Sequence, residues 1–222
     1  MTESSDTVLT AKNISLSFGG VKALQDVNLE LKKHELLAII GPNGAGKTCF
    51  LNCISGFYRP DNDEIYYNNN DLSKFAPYER MRLGISRTFQ QIQAYKGLTC
   101  LDNLMAGRHG NMRYSILEAA FYFGKAHRKE IENRAVVEEI IDLLEIEPIR
   151  EKVVGSLPYG MQKRVDLGRA LVQEPQLLLL DEPMAGMNLE EKEDMARFII
   201  DIFELKRVTM ILVEHDMGVV MD

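Results

Sequence analysis

The sequence predicts an α/β fold with a mainly parallel sheet, and three observations support this class. Short apolar runs alternate with segments of helical period, which is the order expected of strands and helices in such a fold. The run 177–180 consists only of leucines, as is typical of a parallel strand buried on both faces. A continuous helical pattern over 99–144 interrupts the alternation and predicts an inserted helical subdomain.

The segment 41–48 reads G-P-N-G-A-G-K-T and lies between an apolar run, 36–40, and a helical segment, 49–54. It matches the G-x-x-x-x-G-K-[ST] pattern of a phosphate-binding loop between a strand and a helix. Glycines allow successive backbone N–H groups to surround phosphate oxygens, and the helix start adds donors and positive charge. We expect Lys47 to reach the β- and γ-phosphates and the Thr48 hydroxyl to bind Mg²⁺. The sequence therefore predicts a nucleoside triphosphate site.

An antiparallel hairpin is predicted before this loop. Apolar and polar residues alternate over 13–18 and again over 27–31, with a Gly19-Gly20 turn between the two segments. We expect the hairpin to lead into the phosphate-loop strand. The remaining predicted elements are a strand at 65–67, a helix at 77–82, a strand at 84–90 that runs into a polar turn, helices at 161–172 and 189–206, and a strand at 208–213.

Composition and charge argue against several classes of protein. The chain has 26 Lys and Arg against 33 Asp and Glu, a net charge of −7, so we expect no nucleic acid as a partner. The polar, acidic N-terminus does not resemble a signal peptide, and no apolar run approaches the length that spans a bilayer. Cys49, Cys53 and Cys100 lack a zinc-ligand spacing. The first two are predicted to be buried thiols on one helix, consistent with a reducing cytoplasm.

Polar residues follow three further predicted strands. Asp181 and Glu182 come directly after the leucine run, at the strand end where ligands bind in open parallel sheets. Asp181 can hold Mg²⁺ through water, and Glu182 can accept a proton from an attacking water. His215 follows another buried strand and could donate a hydrogen bond to the γ-phosphate. Gln90 or, nearly equally by position, Gln91 could contact Mg²⁺ or the attacking water.

Two stretches admit two interpretations each. The turn 157–162 opens a helix and contains a glycine, which suits an anion site but is weak evidence alone. The aromatic-rich stretch 114–123 could face a membrane, although packing within the helical subdomain is favoured.

The order of these motifs, along essentially the whole chain, resembles the ATP-binding subunits of ABC transporters. Several segments resemble one branch, the ATPases of branched-chain amino-acid (Liv-type) importers: R-T-F-Q at 87–90, P-Y-G at 158–160, D-E-P-M-A-G-M-N at 181–188 and V-E-H-D-M at 213–217. The resemblance implies a P-loop NTPase fold of the ABC ATPase type, with 1–222 as one nucleotide-binding domain. Its catalytic core would be about 1–90 and 174–222, and its helical subdomain about 91–173.

The resemblance also implies roles and partners. Phe18 would stack on adenine, Gln90 would couple chemistry to the membrane subunits, and 157–162 would be the signature motif that contacts ATP on an opposing subunit. Activity would therefore need a homo- or heterodimer of ATPase subunits. Transmembrane permease subunits and, indirectly, a solute-binding protein would complete the assembly at the cytoplasmic face of the cell membrane.

The expected ligands are ATP and Mg²⁺. The predicted catalytic residues are Glu182, His215 and Gln90, and the predicted metal ligands are Thr48, Gln90 and Asp181. The predicted nucleotide contacts are Phe18, Gly41, Pro42, Asn43, Gly44, Ala45, Gly46, Lys47, Thr48, Cys49, Tyr159 and Gly160.

Two departures from the wider family pattern stand out. Pro158 replaces the usual serine of the signature and Tyr159 its first glycine, while 186–188 reads G-M-N where A-L-D is usual. Both substitutions resemble the Liv-type branch, so we expect an active enzyme. Family members continue past His215 with further strands and a helix, so we expect the chain ending at 222 to be truncated.

Other functions share part of this motif set. The same motifs also fit the ATPase of a transporter for urea, a lipid or another amphiphile. A soluble ABC-type clamp of translation or DNA repair would usually carry two nucleotide domains in tandem or a coiled-coil insertion, whereas this chain has one phosphate loop. A small-molecule kinase would not need the 157–162 turn or His215.

Overall fold

A computed structural model describes residues 6–61, 64–108 and 125–215, with only the backbone described over 125–129. The strands are β1 (Thr7–Phe18), β2 (Val21–Lys32), β3 (Leu36–Ile40), β4 (Ile65–Tyr67), β5 (Asn70–Asp71), β6 (Ile85–Arg87), β7 (Leu177–Asp181) and β8 (Thr209–Glu214). The α-helices are α1 (Lys47–Ser55), α2 (Pro77–Arg82), α3 (Cys100–Arg108), α4 (Lys125–Leu143), α5 (Tyr159–Leu171) and α6 (Leu189–Lys206).

These strands form two four-stranded sheets. One is parallel, in the order β3-β8-β7-β6, and the other is antiparallel, in the order β2-β1-β4-β5. The predicted α/β class with a parallel sheet and an N-terminal antiparallel region is therefore confirmed. The hairpin leads into the phosphate-loop strand along the chain, as predicted, but the two lie in different sheets, because β3 pairs with β8.

The first strand of the hairpin begins at Thr7, six residues before the predicted start at 13. Leu9 and Ala11 are buried and continue the apolar alternation, but the pairing register shifts between Ala11 and Ile14. Asn13 lies at this bulge with a φ of 51°. A bulge inserts an extra residue, so it interrupts the two-residue period on which the prediction relied.

The parallel sheet separates two cores, and β7 is buried on both faces, as its leucines predicted. Leu178 and Leu180 point to a core built with the helices α3, α4, α5 and α6. Leu177 and Leu179 point to the opposite core, which α1 and the antiparallel sheet complete. Because successive side chains of β7 point to opposite faces, the sheet packs against one layer on each face.

The helical pattern predicted over 99–144 contains α3 and α4, and the aromatic stretch 114–123 lies outside the described residues. Helix α5 begins at Tyr159 rather than at Met161, directly after Pro158. Proline suits a helix start because it lacks an N–H, so no donor is lost there. The proposed boundaries of the helical subdomain stay a prediction.

Two smaller expectations have separate outcomes. Cys53 is buried, but Cys49 is only partly buried, so the prediction of two buried thiols was wrong for Cys49. Among the described residues no helix is long and apolar enough to cross a membrane. Residues 216–222 are outside the described residues.

Candidate active site

The predicted site residues converge at one edge of the parallel sheet. Because β3, β6, β7 and β8 run parallel, their carboxyl ends meet at the same edge. The loop 41–46 leaves β3 there, and Gln90 follows β6. Asp181 ends β7 with Glu182 next to it, and His215 follows β8. The fold therefore brings distant parts of the chain to one place.

The phosphate loop is shaped by contacts that only glycine permits. Gly46 caps α1 with a φ of 86°, and a Cβ there would lie 2.4 Å from the carbonyl oxygen of Ala23. Among the described residues no side chain caps α1, so the N–H groups of its first turn remain available to a ligand. Lys47 is 8% exposed, and its Nζ donates to the carbonyls of Gly41 at 2.6 Å and Pro42 at 3.1 Å. The loop is a cradle of donors with an ammonium group across it, which suits a phosphate chain.

A pair of oxygen ligands lies next to this cradle. Thr48 Oγ1 donates to Asp181 Oδ1 at 3.0 Å, and Asp181 is 1% exposed. Hydroxyl and carboxylate oxygens are ligands that suit Mg²⁺. Within the described ranges no cluster of three or more His, Cys, Asp or Glu could hold a metal. The residues therefore fit an ion that takes most of its remaining ligands from phosphate and water.

Arg87 is a site residue that sequence reasoning missed. Its Nη2 forms an ion pair with Asp181 Oδ2 at 2.7 Å, and the side chains are 5% and 1% exposed. Its Nη1 donates to Asn52 Oδ1 at 2.7 Å and Ser55 Oγ at 2.9 Å, both on α1. Burial lowers the pKa of the guanidinium, and the Asp181 carboxylate opposes that shift. The sequence signal that could have indicated Arg87 is that it is a charged residue at the end of a strand. In the structure that strand is β6, which lies next to β7, and Arg87 pairs with Leu179.

Glu182 is the centre of a second polar group. It is 6% exposed and has a φ of 46°, a left-handed conformation that non-glycine residues adopt at a cost, often at functional sites. Gln90 Nε2 donates to Glu182 Oε2 at 3.0 Å, and His215 Nδ1 lies 3.6 Å from the same oxygen. Gln91 instead accepts from Gln93 Nε2 through its backbone carbonyl at 3.3 Å. The structure thus brings Gln90 to Glu182, where a carboxylate could take a proton from water.

A third carboxylate, Glu214, lies behind this group and was also missed. It is 2% exposed, and Oε1 accepts from the backbone N–H of Met184 at 3.3 Å. Its Oε2 lies 4.0 Å from His215 Nδ1. Burial raises the pKa of Glu214. Glu214 therefore anchors the loop that follows Glu182.

Phe18 lies on the antiparallel sheet as an exposed aromatic residue. Its ring contacts Tyr58 edge-on, with centroids 5.1 Å apart. The pair offers an aromatic surface, and the stacking of adenine on Phe18 stays a prediction. The same is true of a nucleotide contact by the partly buried Cys49.

The 157–162 turn lies against the loop after Glu182. A Cβ on Gly186 would lie 3.2 Å from the Tyr159 ring, and one on Gly160 would lie 2.4 Å from Glu191 Oε1. A cleft of about 650 Å³ opens here, with Gln90, Tyr159 and Gly186 in its wall. The turn thus faces the segment that follows Asp181 and Glu182, while its nucleotide contact stays a prediction.

A family model described as ABC transporter matches residues 24–185. That span contains the phosphate loop, Gln90, the 157–162 turn and the Asp181-Glu182 pair. The chain belongs to the ABC transporter family.

Known relatives agree with this assignment. The chain is 33% identical to the high-affinity branched-chain amino acid transport ATP-binding protein LivG of Escherichia coli over 98% of its own length and 85% of the relative. It is 34% identical to MJ1267, an ATP-binding cassette of an ABC transporter in its ADP conformation, with a TM-score of 0.81 over 96% of this chain and 83% of that one. It is 26% identical to the cassette MJ0796, dimeric and bound to ADP and Pi, with a TM-score of 0.78 over 95% and 89%.

Proposed function

We propose that this ABC transporter family protein binds and hydrolyses ATP as a subunit of an importer for branched-chain amino acids. The observation that carries the chemistry is the convergence of Gln90 and His215 on one oxygen of Glu182, beside a phosphate-binding loop. The solute rests on the similarity to LivG, a branched-chain amino acid transport ATP-binding protein.

Binding of ATP would use the loop 41–48. The N–H groups at the start of α1 would surround the phosphates. The Lys47 ammonium would then bind phosphate oxygens in place of the backbone carbonyls of Gly41 and Pro42. Thr48 and Asp181 would hold Mg²⁺, which neutralises charge on the phosphates when bound. Phe18 would place the adenine.

Hydrolysis would depend on Glu182. Its carboxylate would accept a proton from the water that attacks the γ-phosphate, and His215 would donate a hydrogen bond to the transferred group. Gln90 now occupies the Glu182 oxygen that would take this proton. The amide must therefore move or share that oxygen before the water can be activated.

Two opposing subunits would complete each site. MJ0796, which resembles this chain, forms a dimer with ADP and Pi. In such a dimer Tyr159 and Gly160 would contact the ATP of the opposing subunit. Pro158 has no N–H to donate, so the backbone N–H of Gly160 and the start of α5 would supply the contact.

The permease would dock on an apolar groove of about 260 Å³ with Phe57, Tyr78 and Phe89 in its wall. Phe57 and Tyr78 are exposed, and the Phe89 ring lies 4.9 Å from the Arg87 guanidinium. Arg87 in turn binds Asp181. An apolar segment of the membrane subunit in this groove would therefore be connected to Asp181, the proposed metal ligand, through Arg87. The same contact would hold the protein at the inner face of the membrane.

Transport assays test the solute. The protein would be reconstituted in vesicles with candidate permease subunits and a candidate solute-binding protein, and ATP-driven uptake of leucine and of urea would be measured. We expect leucine uptake that stops with Lys47→Ala and continues with Lys152→Met, an exposed lysine outside the site. Uptake of urea alone would contradict the proposed solute, and hydrolysis without uptake of either would contradict an importer of these two solutes.

A further inference from the structure

Three polar side chains on one face of α5 hold the backbone of the segment that carries Gln90. Lys163 Nζ donates to the Gln90 carbonyl at 2.7 Å. Asp166 Oδ1 accepts from the Gln93 N–H at 3.1 Å, and Arg169 Nη1 donates to the Gln93 carbonyl. The three residues are spaced by three along the helix, so they line one face of it. These side-chain contacts therefore hold the backbone of the segment after β6 against α5.

Helix α3 holds the end of the same segment. Asn103 is fully buried, accepts from the Tyr95 N–H at 2.7 Å and donates to the Tyr95 carbonyl at 3.0 Å. Since α3 packs on α5, residues 90–95 have both ends fixed to one helical layer. A displacement of that layer must carry Gln90 with it.

Lys163 is costly to bury, which argues against a purely structural role. The residue is 4% exposed, and within the described residues it forms no ion pair with a carboxylate. Its contacts are the Gln90 carbonyl and the Tyr159 ring, whose centroid lies 5.9 Å from Nζ. A buried, unpaired charge destabilises a fold, and an apolar side chain of similar length would pack there at lower cost.

Gln90 thus has two attachments on different parts of the fold. Its carbonyl is bound by Lys163 of α5, and its side-chain amide is bound by Glu182 at the end of β7. A shift of α5 relative to the sheet must stretch one of these two hydrogen bonds. Helix α5 begins at the turn of Tyr159 and Gly160, so a ligand at this turn acts on the same helix.

We propose that Lys163 is a positioning residue that sets the distance between Gln90 and Glu182 and so links the 157–162 turn to the catalytic carboxylate. This inference rests on the proposed roles of Gln90 and Glu182. In the present arrangement Lys163 holds Gln90 where its amide covers Glu182. Movement of α5 with the turn frees the Glu182 oxygen for water.

The test compares Lys163→Met, Lys163→Arg and the exposed control Lys152→Met in the assembled transporter, with kcat and KM of steady-state ATP hydrolysis measured for each. In Lys163→Met the hydrogen bond to the Gln90 carbonyl is lost, so a movement of α5 no longer carries Gln90 away from Glu182. We therefore expect kcat to fall about tenfold or more with KM within about twofold. Lys163→Arg keeps the charge and the donor, so it should restore kcat to within about threefold of the wild type. Unchanged kcat in Lys163→Met, or an equal loss in Lys163→Arg, would overturn the proposal.

A double-mutant cycle shows whether Lys163 acts through Gln90. If it does, Lys163→Met should change the kcat of Gln90→Ala by less than about threefold, because the coupled group is already gone. The same loss of kcat in both backgrounds would overturn the proposal, even where both proteins fold. Hydrogen exchange of the amides in 90–95 should be faster in Lys163→Met than in Lys152→Met. Glu182→Gln tests the proposed function separately, because normal turnover there would contradict the role of Glu182 whatever Lys163 does.

Discussion

The buried ion pair between Arg87 and Asp181 makes a quantitative prediction about stability. The atoms Nη2 and Oδ2 lie 2.7 Å apart, and the side chains are 5% and 1% exposed. Arg87→Met removes the cation and leaves the carboxylate buried with the Thr48 hydroxyl as its remaining described hydrogen-bond partner. Breaking a pair of this kind costs about 3–5 kcal/mol, because an uncompensated charge stays in the interior. We expect Arg87→Met to lose about that much free energy of unfolding.

Replacing both partners should cost less than the sum of the two single changes. In Arg87→Met with Asp181→Asn no charge is left unpaired, so the double variant should recover about 2 kcal/mol of the summed loss. A matched control is Arg197→Met, because Arg197 pairs with Glu145 at 2.8 Å while both side chains are about half exposed. That exposed pair should cost about 1 kcal/mol or less.

The assay is urea unfolding of the four variants of the cycle and of the control, without nucleotide. If the two single losses add to within about 0.5 kcal/mol in the double variant, Arg87 is not the charge partner of Asp181. A loss in Arg87→Met no larger than that in Arg197→Met would contradict the reasoning from burial.

Two further predictions concern packing and pH. A Cβ on Gly160 would lie 2.4 Å from the oxygen of Glu191, whose side chain caps α6, so Gly160→Ala should lose about 1 kcal/mol in denaturant unfolding. That loss should shrink in a Glu191→Ala background, and an equal loss there would show that the clash lies elsewhere. Burial raises the pKa of Tyr67 from 10.0 to about 12, so the native state keeps a proton that the unfolded chain releases. Its contribution is present below pH 10 and declines between pH 10 and 12, by at most about 1.4 kcal/mol per pH unit. Tyr67→Phe should flatten the fall of melting temperature over that range, and an unchanged slope would exclude Tyr67 as its cause.

The gathering of the site at one sheet edge could be predicted because each polar residue follows a buried run. Asp181 and Glu182 follow the leucines of β7, and His215 follows β8. Parallel strands place such residues together whatever their separation in sequence. The local pattern of the phosphate loop carries its own geometry, so the start of α1 could also be predicted.

Contacts between distant side chains could not be predicted in this way. Lys163 and Gln90 are separated by 73 positions, and no periodicity relates them. Arg87 ends a short strand and gives no sign that its guanidinium faces Asp181 rather than solvent. The bulge at Asn13 hid the first half of β1 because strand prediction assumes an unbroken period of two.

The role of Glu182 is tested most directly by steady-state ATP hydrolysis of the assembled transporter with Glu182→Gln. Glutamine keeps the size of the side chain but cannot accept the proton, so turnover should fall by about 10²–10⁴ while the Kd for ATP stays within about threefold. Glu190→Gln, an exposed glutamate at the start of α6, is the matched control and should hydrolyse ATP like the wild type. Turnover by Glu182→Gln within about threefold of the control would contradict Glu182 as the base and, with it, the proposed mechanism.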